Sequence, residues 1–426
     1  MTREALLTAA ERVLRRNDLG EYTKPSPRLY PHQWLWDSAF IALAWAHLDW
    51  PRAVREIDSL LAGQWTNGML PHIRYNRRVT DYAPGPEWWP DVPVRRAGEI
   101  TSGISQPPVH PTIVYLVGLL QPDADVRHAW WARVFDPLRD SLLYFTRERT
   151  TGRSPLIAVI HPWESGADNS PRWDSAVRQG HRPSRLYRRI DTTMVGTAER
   201  PRREDYDLYM YLVEDIAAGR YQVRARLPSM PFAVYDALFN AIWYRAAVDL
   251  NRIAFVLGAE PVVSQADLEA FRAAYHAVLW NQTAGLFRDF DVRSRTPVTV
   301  DTSAGLGAIY GGLVDEDQAL SMITRYQRRC AGCRMVPSTP PDEPGFDSTR
   351  YWRGPIWVNI NWMLVRGLEA LGLRREASAL ADETIALVQS AGLHEYFHAY
   401  TGEGLGGPDF SWSAALVIDL LRRPVV

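Results

Sequence analysis

Between His161 and Asp174 the chain reads His-Pro-Trp-Glu-Ser-Gly-Ala-Asp-Asn-Ser-Pro-Arg-Trp-Asp. Glu164, Asp168 and Asp174 share this stretch with Trp163, Trp173 and Arg172, and Gly166 and Pro171 interrupt it. Carboxylates and indoles on a rigid loop suit the cleavage of a sugar. A carboxylic acid protonates the leaving oxygen and aromatic faces hold the ring. The plainer alternative is a solvated loop with a few N-caps, since loop composition alone is a weak guide. Composition leaves the three carboxylates in competition for the catalytic role. Asp168, flanked by small residues and Asn169, can project from a tight turn, with Glu164 and Asp174 as supporting partners.

Other constellations have the same character. In Tyr30-Pro-His-Gln-Trp34-Leu-Trp36-Asp37, two indoles flank a turn and Asp37 is expected to cap the helix that follows. The same carboxylate beside two indoles could accept hydrogen bonds from sugar hydroxyls. His72 and Gln106 offer donors and acceptors in a long loop, and Tyr351-Trp352-Arg353-Gly354-Pro355-Ile-Trp357 is rich in aromatics at a helix start. The stretch from Glu395 to Trp412 supplies further carboxylates, with glycines that allow close backbone approach to a ligand. His72, His110, His161, His394 and His398 raise the question of a metal. No pair has the HExxH arrangement or another closely spaced ligand set, so no metal is expected.

These residues sit in a chain of 426 residues with a formal net charge of −1, long enough to bury a large core. That charge gives no global attraction for nucleic acid or an anionic membrane. There are 17 Trp and 19 Tyr, suited both to stacking on sugars and to plain core packing. The lone Cys330-Ala-Gly-Cys333 has no second pair to complete a zinc site, which leaves incidental thiols or a local disulfide. No leader pattern and no apolar run of about 18 residues is seen, so a soluble, cytoplasmic protein is expected. The oligomeric state, including a homo-oligomer, stays open.

Helical periodicity dominates the elements that must position the site. Helices are expected over 2–16, 37–48, 52–64, 111–120, 126–149, 204–218, 232–257, 265–280, 303–310, 316–329, 355–371, 374–391 and 410–421. Ile356, Ile360, Leu364 and Leu368 show the spacing, and Ser264 is a start signal for the helix beginning at Gln265. Short strands are expected at Leu156–Ile160 and Val298–Val300. Tight turns alternate with long Pro- and Gly-rich segments at 17–36, 65–110, 150–203, 281–302, 330–354 and 392–409. In an up-and-down array alternate connections emerge at one end, and loops this long are usually functional. An all-α fold, a closed (α/α)6 barrel, follows, with residues 1–426 as a single catalytic domain and no repeat period that would make it a solenoid. The count between residues 219 and 265 is off by one helix, which a break within 232–257 or an unrecognised short helix would repair.

Taken together, the motifs resemble a known family. Glu164-Ser-Gly-x-Asp168-Asn-Ser-x-Arg172-Trp looks like the general-acid motif of the (α/α)6-barrel glycosidases of glycoside hydrolase families 63 and 37. Trp357 to Asn361 and Phe410-Ser-Trp412 also match. Tyr30-Pro-x-Gln-Trp-x-Trp-Asp and Glu395-Tyr-Phe-x-x-Tyr-Thr-Gly resemble the bacterial mannosylglycerate and glucosylglycerate hydrolases of family 63. The aromatic-and-Glu pattern that trehalases carry near the carboxyl end is not intact. There is no room for the amino-terminal β-domain of the larger family 63 enzymes.

The resemblance implies Asp168 as general acid and Glu395 as general base. It implies sugar contacts from Tyr30, Trp34, Trp36, Asp37, His72, Gln106, Tyr351, Trp352 and Trp357; Arg172 and Trp412 in the matching blocks, and Trp163 just before the acid motif, are further substrate-binding candidates. A glycerate carboxylate needs a cation. The counterpart of the subgroup's mobile loop, Thr192–Asp205, makes Arg202, Arg203 and Tyr206 the candidates. The expected reaction is inverting hydrolysis of a short glycoside of D-glycerate, without cofactor, by two carboxyl groups roughly 6.5–9.5 Å apart. Mannose and glucose are not distinguished. Alternatives are a trehalase-like or oligosaccharide α-glucosidase, or a sugar-binding barrel that has lost catalysis.

Overall fold

The computed structural model describes residues 1–423. Twelve helices alternate between outer and inner positions: α1 (Arg3–Asn17), α2 (Leu35–Leu48), α3 (Trp50–Ala62), α4 (His110–Leu119), α5 (Ala124–Glu148), α6 (Ala237–Val256), α7 (Gln265–Leu279), α8 (Gly307–Gly311), α9 (Glu316–Arg329), α10 (Val358–Ala370), α11 (Arg374–Ala391) and α12 (Ser411–Arg422). The even-numbered helices contact one another in order and α12 returns to α2, closing a ring. Around it α1 packs on α12, α3 on α2, α5 on α4 and α6, α7 on α6, and α11 on α10 and α12. This is an (α/α)6 barrel.

The sequence decides which helix goes inside. A helix apolar on all sides needs neighbours on all sides. In α2 every residue from Leu35 to Trp45 is buried, and in α12 every residue from Ser411 to Leu420. The outer α9 buries only Ala319, Met322 and Tyr326, a single stripe at three-and-four spacing. Ser264 caps α7 by accepting from the Asp267 N–H at 3.1 Å.

Two expectations change. Arg203–Ala218 and the short helix Val223–Arg226 make an out-and-back excursion between α5 and α6, outside the ring, which restores the alternation. The helix expected from 232 is unbroken and begins at Ala237, after the strand Val234–Tyr235. Asp37 does not cap α2, because that helix starts two residues earlier. Trp34 pairs with Ile73 in a short strand, and the Leu35 N–H donates to the His72 carbonyl at 3.1 Å, committing the backbone to helix at Leu35.

Short strands brace the loops. Ala158–Val159, Val234–Tyr235, Phe290–Asp291 and Thr296–Pro297 form an antiparallel sheet in that order. The strand expected at Val298–Val300 thus lies just upstream, at Thr296–Pro297. A hairpin pairs His394–Phe397 with Gly404–Pro408, setting Leu405 opposite Tyr396.

Candidate active site

A cavity opens at one end of the barrel. Its wall comes from the long connections; of these only 281–302 stays away, because it builds the sheet just described.

The segment from His161 to Asp174 separates its three carboxylates by their partners. Glu164 is fully committed: both terminal nitrogens of Arg149 donate to it at 2.9 Å, as do the backbone N–H groups of Ser105 at 3.1 Å and Ile160 at 2.9 Å. Asp174 takes a bidentate pair from Arg353, 2.7 Å on each arm. Asp168 alone faces the cavity. Burial pushes its carboxyl up to about 7, against the pull of the Arg200 guanidinium and with a smaller push from Glu395 and Asp191. Such a group still holds its proton near neutrality, as a general acid requires.

Local structure explains why Asp168 points there. Gly166 lies at φ +70°, and a Cβ on it would come within 2.4 Å of the Trp36 ring, so only glycine permits this turn. Asn169 clips the loop to the 330–354 segment by accepting the Trp352 N–H at 2.9 Å on its side chain. Arg172 anchors the far end. It donates to Asp236 at 3.0 Å and Asp289 at 2.6 Å, and lies over the Trp173 ring.

Glu395 comes from the other end of the chain, on the His394–Phe397 strand. Its carboxylate accepts from the Tyr30 hydroxyl at 2.9 Å, the Gly407 N–H at 3.1 Å and Arg200 Nη1 at 3.3 and 3.4 Å. A carboxylate that only accepts matches this set of donors. A Cβ on Gly406, at φ +68°, would lie 2.5 Å from Glu395 Oε2, so the return strand needs glycine to pass this close. Asp37, inside the first turn of α2, is a third carboxyl in the wall. Burial first, and then Glu395, hold it well above the usual carboxylate range.

Most of the predicted contact residues share the cavity: Tyr30, Trp34, Trp36, Asp37, His72, Gln106, Trp163, Tyr206, Tyr351 and Trp412 all line it. Gln106 Oε1 accepts the Trp36 N–H at 3.4 Å, which turns its amide donors to other partners. Burial holds His72 neutral, and its ring stacks on Trp163 at 5.9 Å. Other predicted residues stand elsewhere. Trp357 is wholly buried, stacked 3.8 Å from Trp352, and both lie behind the wall. Arg172 is consumed by its two aspartates. Arg202 is exposed at the start of the Arg203–Ala218 helix, and Arg203 is also exposed, near the Tyr187 ring.

The arginine in the wall is instead Arg200, only 3% exposed, which sequence reasoning passed over. Nη2 donates to the Tyr30 hydroxyl at 2.7 Å, Nε to Asp191 at 3.3 Å, and the guanidinium lies 4.2 Å from the centre of the Tyr351 ring. Tyr75, Tyr82 and Trp89 were also missed. Their only signal was being aromatic within the long 65–110 segment. Among the described residues no group of three or more His, Cys, Asp or Glu is arranged to hold a metal. Cys330 and Cys333 are free thiols. No helix among the described residues is long and apolar enough to cross a membrane.

The barrel, with an acid, a glutamate and an aromatic wall at one mouth, is that of a glycoside hydrolase. The chain belongs to the mannosylglycerate hydrolase MGH1-like glycoside hydrolase family, which it matches over residues 30–413. It is 39% identical over 414 residues to mannosylglycerate hydrolase of Thermus thermophilus, covering 96% of this chain and 99% of that one. Glucosylglycerate hydrolase of Mycolicibacterium hassiacum is 36% identical over 442 residues, covering 98% and 97%. The crystal structure of a GH63 mannosylglycerate hydrolase from Thermus thermophilus in complex with Tris and D-glycerate superposes with a TM-score of 0.91 at 38% identity, over 97% of this chain and 99% of that one.

Proposed function

We propose that this chain hydrolyses 2-O-α-D-mannosyl-D-glycerate, 2-O-α-D-glucosyl-D-glycerate or both to hexose and D-glycerate, with inversion at the anomeric carbon, in one catalytic domain spanning residues 1–426. The observation that carries this reading is that Asp168, Glu395 and Arg200 line one cavity. They supply the acid, the base and the cation that the reaction needs.

In this mechanism Asp168, neutral at pH 6, donates its proton to the glycosidic oxygen as the C–O bond breaks. Glu395 takes a proton from a water molecule as that water bonds to the anomeric carbon from the opposite face. The hexose leaves with the opposite anomeric configuration and glycerate leaves as its hydroxy acid anion. Trp34, Trp36 and Trp412 offer faces and edges to the ring, while Asp37 and Gln106 bind hydroxyls. Arg200 grips the glycerate carboxylate, a role for which the exposed Arg202 and Arg203 are badly placed. A neutral second sugar, as in trehalose, would form no ion pair with this cation.

The test is release of free hexose from mannosylglycerate, glucosylglycerate and trehalose, assayed in parallel. Turnover of one or both glycerates, with trehalose at least about 10²-fold slower in kcat/KM, is expected from the loss of a charge-assisted contact. Trehalose as the best substrate would refute the reading.

A further inference from the structure

Arg200 has partners of its own within the protein. Nη1 lies 3.3 and 3.4 Å from the two oxygens of Glu395, and Nη2 and Nε are held by Tyr30 and Asp191. The contacts to Glu395 are long for a charge-assisted hydrogen bond, which settles at about 2.7–2.9 Å. An incoming carboxylate that reaches ordinary bidentate distance can therefore displace them. The backbone that carries Arg200 is pinned by other groups. Arg350 Nη1 donates to the Arg200 carbonyl at 3.0 Å, the Tyr396 hydroxyl donates to the Glu199 carbonyl at 2.9 Å, and the Gly406 N–H donates to the Glu199 carboxylate at 2.8 Å. The exchange thus needs only a change of side-chain partners.

We propose that Arg200 makes turnover, and not only binding, depend on an anionic aglycone: its guanidinium engages the carboxylate of Glu395 until substrate binds, and the carboxylate of an α-hydroxy-acid aglycone takes it over and frees Glu395 to act on water. This rests on the assignment of Asp168 and Glu395 as acid and base. A carboxylate engaged by a guanidinium is a poorer proton acceptor, so a substrate lacking the charge binds to an enzyme whose base stays blocked.

The same exchange keeps the acid protonated. Asp168 is faced by Asp37 from α2, Asp191 and Arg200 from the connection before the Arg203–Ala218 helix, Tyr209 from that helix, Tyr82 from the 65–110 segment, Tyr351, and Glu395. Arg200 is the main charge drawing its proton off. Matching that charge with the aglycone's carboxylate lets Asp168 keep its proton to higher pH.

Two measurements test this. The first compares wild type and Arg200→Gln on a 2-O-α-hexosylglycerate and on the matching hexosylglycerol, which has the same shape without the charge. Wild type is expected to show kcat on the order of 10²-fold lower for the neutral glycoside, the contribution of one general base. Arg200→Gln raises KM for the glycerate glycoside yet turns over the neutral one with kcat about tenfold above wild type, since nothing then blocks Glu395. A kcat on the neutral glycoside at or below the wild-type value overturns the proposal, because a mere carboxylate receptor gives that result. The second uses wild type alone, so it stands even if the variant folds poorly. The alkaline limb, near pH 7 in kcat/KM, moves up in kcat by roughly one pH unit with the glycerate glycoside and not with the neutral one. Equal limbs overturn the proposal. Wild type that cleaves no hexosylglycerate at all overturns the assigned reaction instead, and this proposal with it.

Discussion

Replacing Asp168 by Asn should make the protein inactive and, at alkaline pH, more stable. Burial raises the Asp168 carboxyl from 3.8 to about 7 in the folded protein. Between those values the unfolded chain releases this proton and the folded one keeps it, so stability falls as pH rises from about 4 to about 7. Above pH 7 the cost is fully present; below pH 4 it is absent. A displacement of about three pH units corresponds to about 4 kcal/mol. The side chain lines the cavity and is half-buried, so solvent screens it and about 2 kcal/mol is a sounder figure. With unfolding entropy near 2.1 cal/mol/K per residue, that amounts to about 2 °C in Tm for a chain of this length. Differential scanning calorimetry of wild type and Asp168→Asn at pH 4.5 and pH 8 measures it. The Asn variant should gain about 2 °C relative to wild type on going from the lower to the higher pH. A Tm difference that does not change with pH would mean that Asp168 titrates normally, and its role as an acid at neutral pH would lose its physical basis.

Other perturbations separate the neighbouring roles. Glu164→Gln leaves the wholly buried Arg149 without its bidentate partner; a loss of about 3–5 kcal/mol in urea unfolding is expected, and a loss under 1 would show the pair is dispensable. Gly166→Ala strains a left-handed turn and drives a methyl into Trp36, so kcat should fall by more than about tenfold through displacement of Asp168; wild-type kinetics would contradict this packing. Arg202→Ala should leave kcat/KM for hexosylglycerates within about twofold, whereas Arg200→Ala should lower it by about 10²-fold, the worth of a charge-assisted pair. The reverse order, measured by steady-state kinetics, would return the carboxylate contact to Arg202.

The sequence was legible where one physical requirement allowed one solution. Helices apolar on every side had to lie inside a ring. It was less legible where several residues met the same requirement. Composition left Glu164, Asp168 and Asp174 in competition; the family resemblance pointed to Asp168, and the partners that occupy Glu164 and Asp174 became visible only in the fold. Arg200, Arg202 and Arg203 lie within four positions, and only the fold buries the first and exposes the others. Trp352 and Trp357 have the composition of a sugar platform but stack on each other, because two indoles near a helix start can satisfy one another. Asp37 resembled an N-cap since nothing local revealed that pairing of Trp34 with Ile73 starts the helix earlier. That difference leaves its carboxyl to the cavity.

The most direct test of the central claim is a proton NMR time course of the anomers released from mannosylglycerate or glucosylglycerate by freshly added enzyme. With Asp168 as acid and Glu395 activating water, β-hexose should appear first and then mutarotate, and Asp168→Asn should release none. α-Hexose as the first product would contradict the inverting assignment.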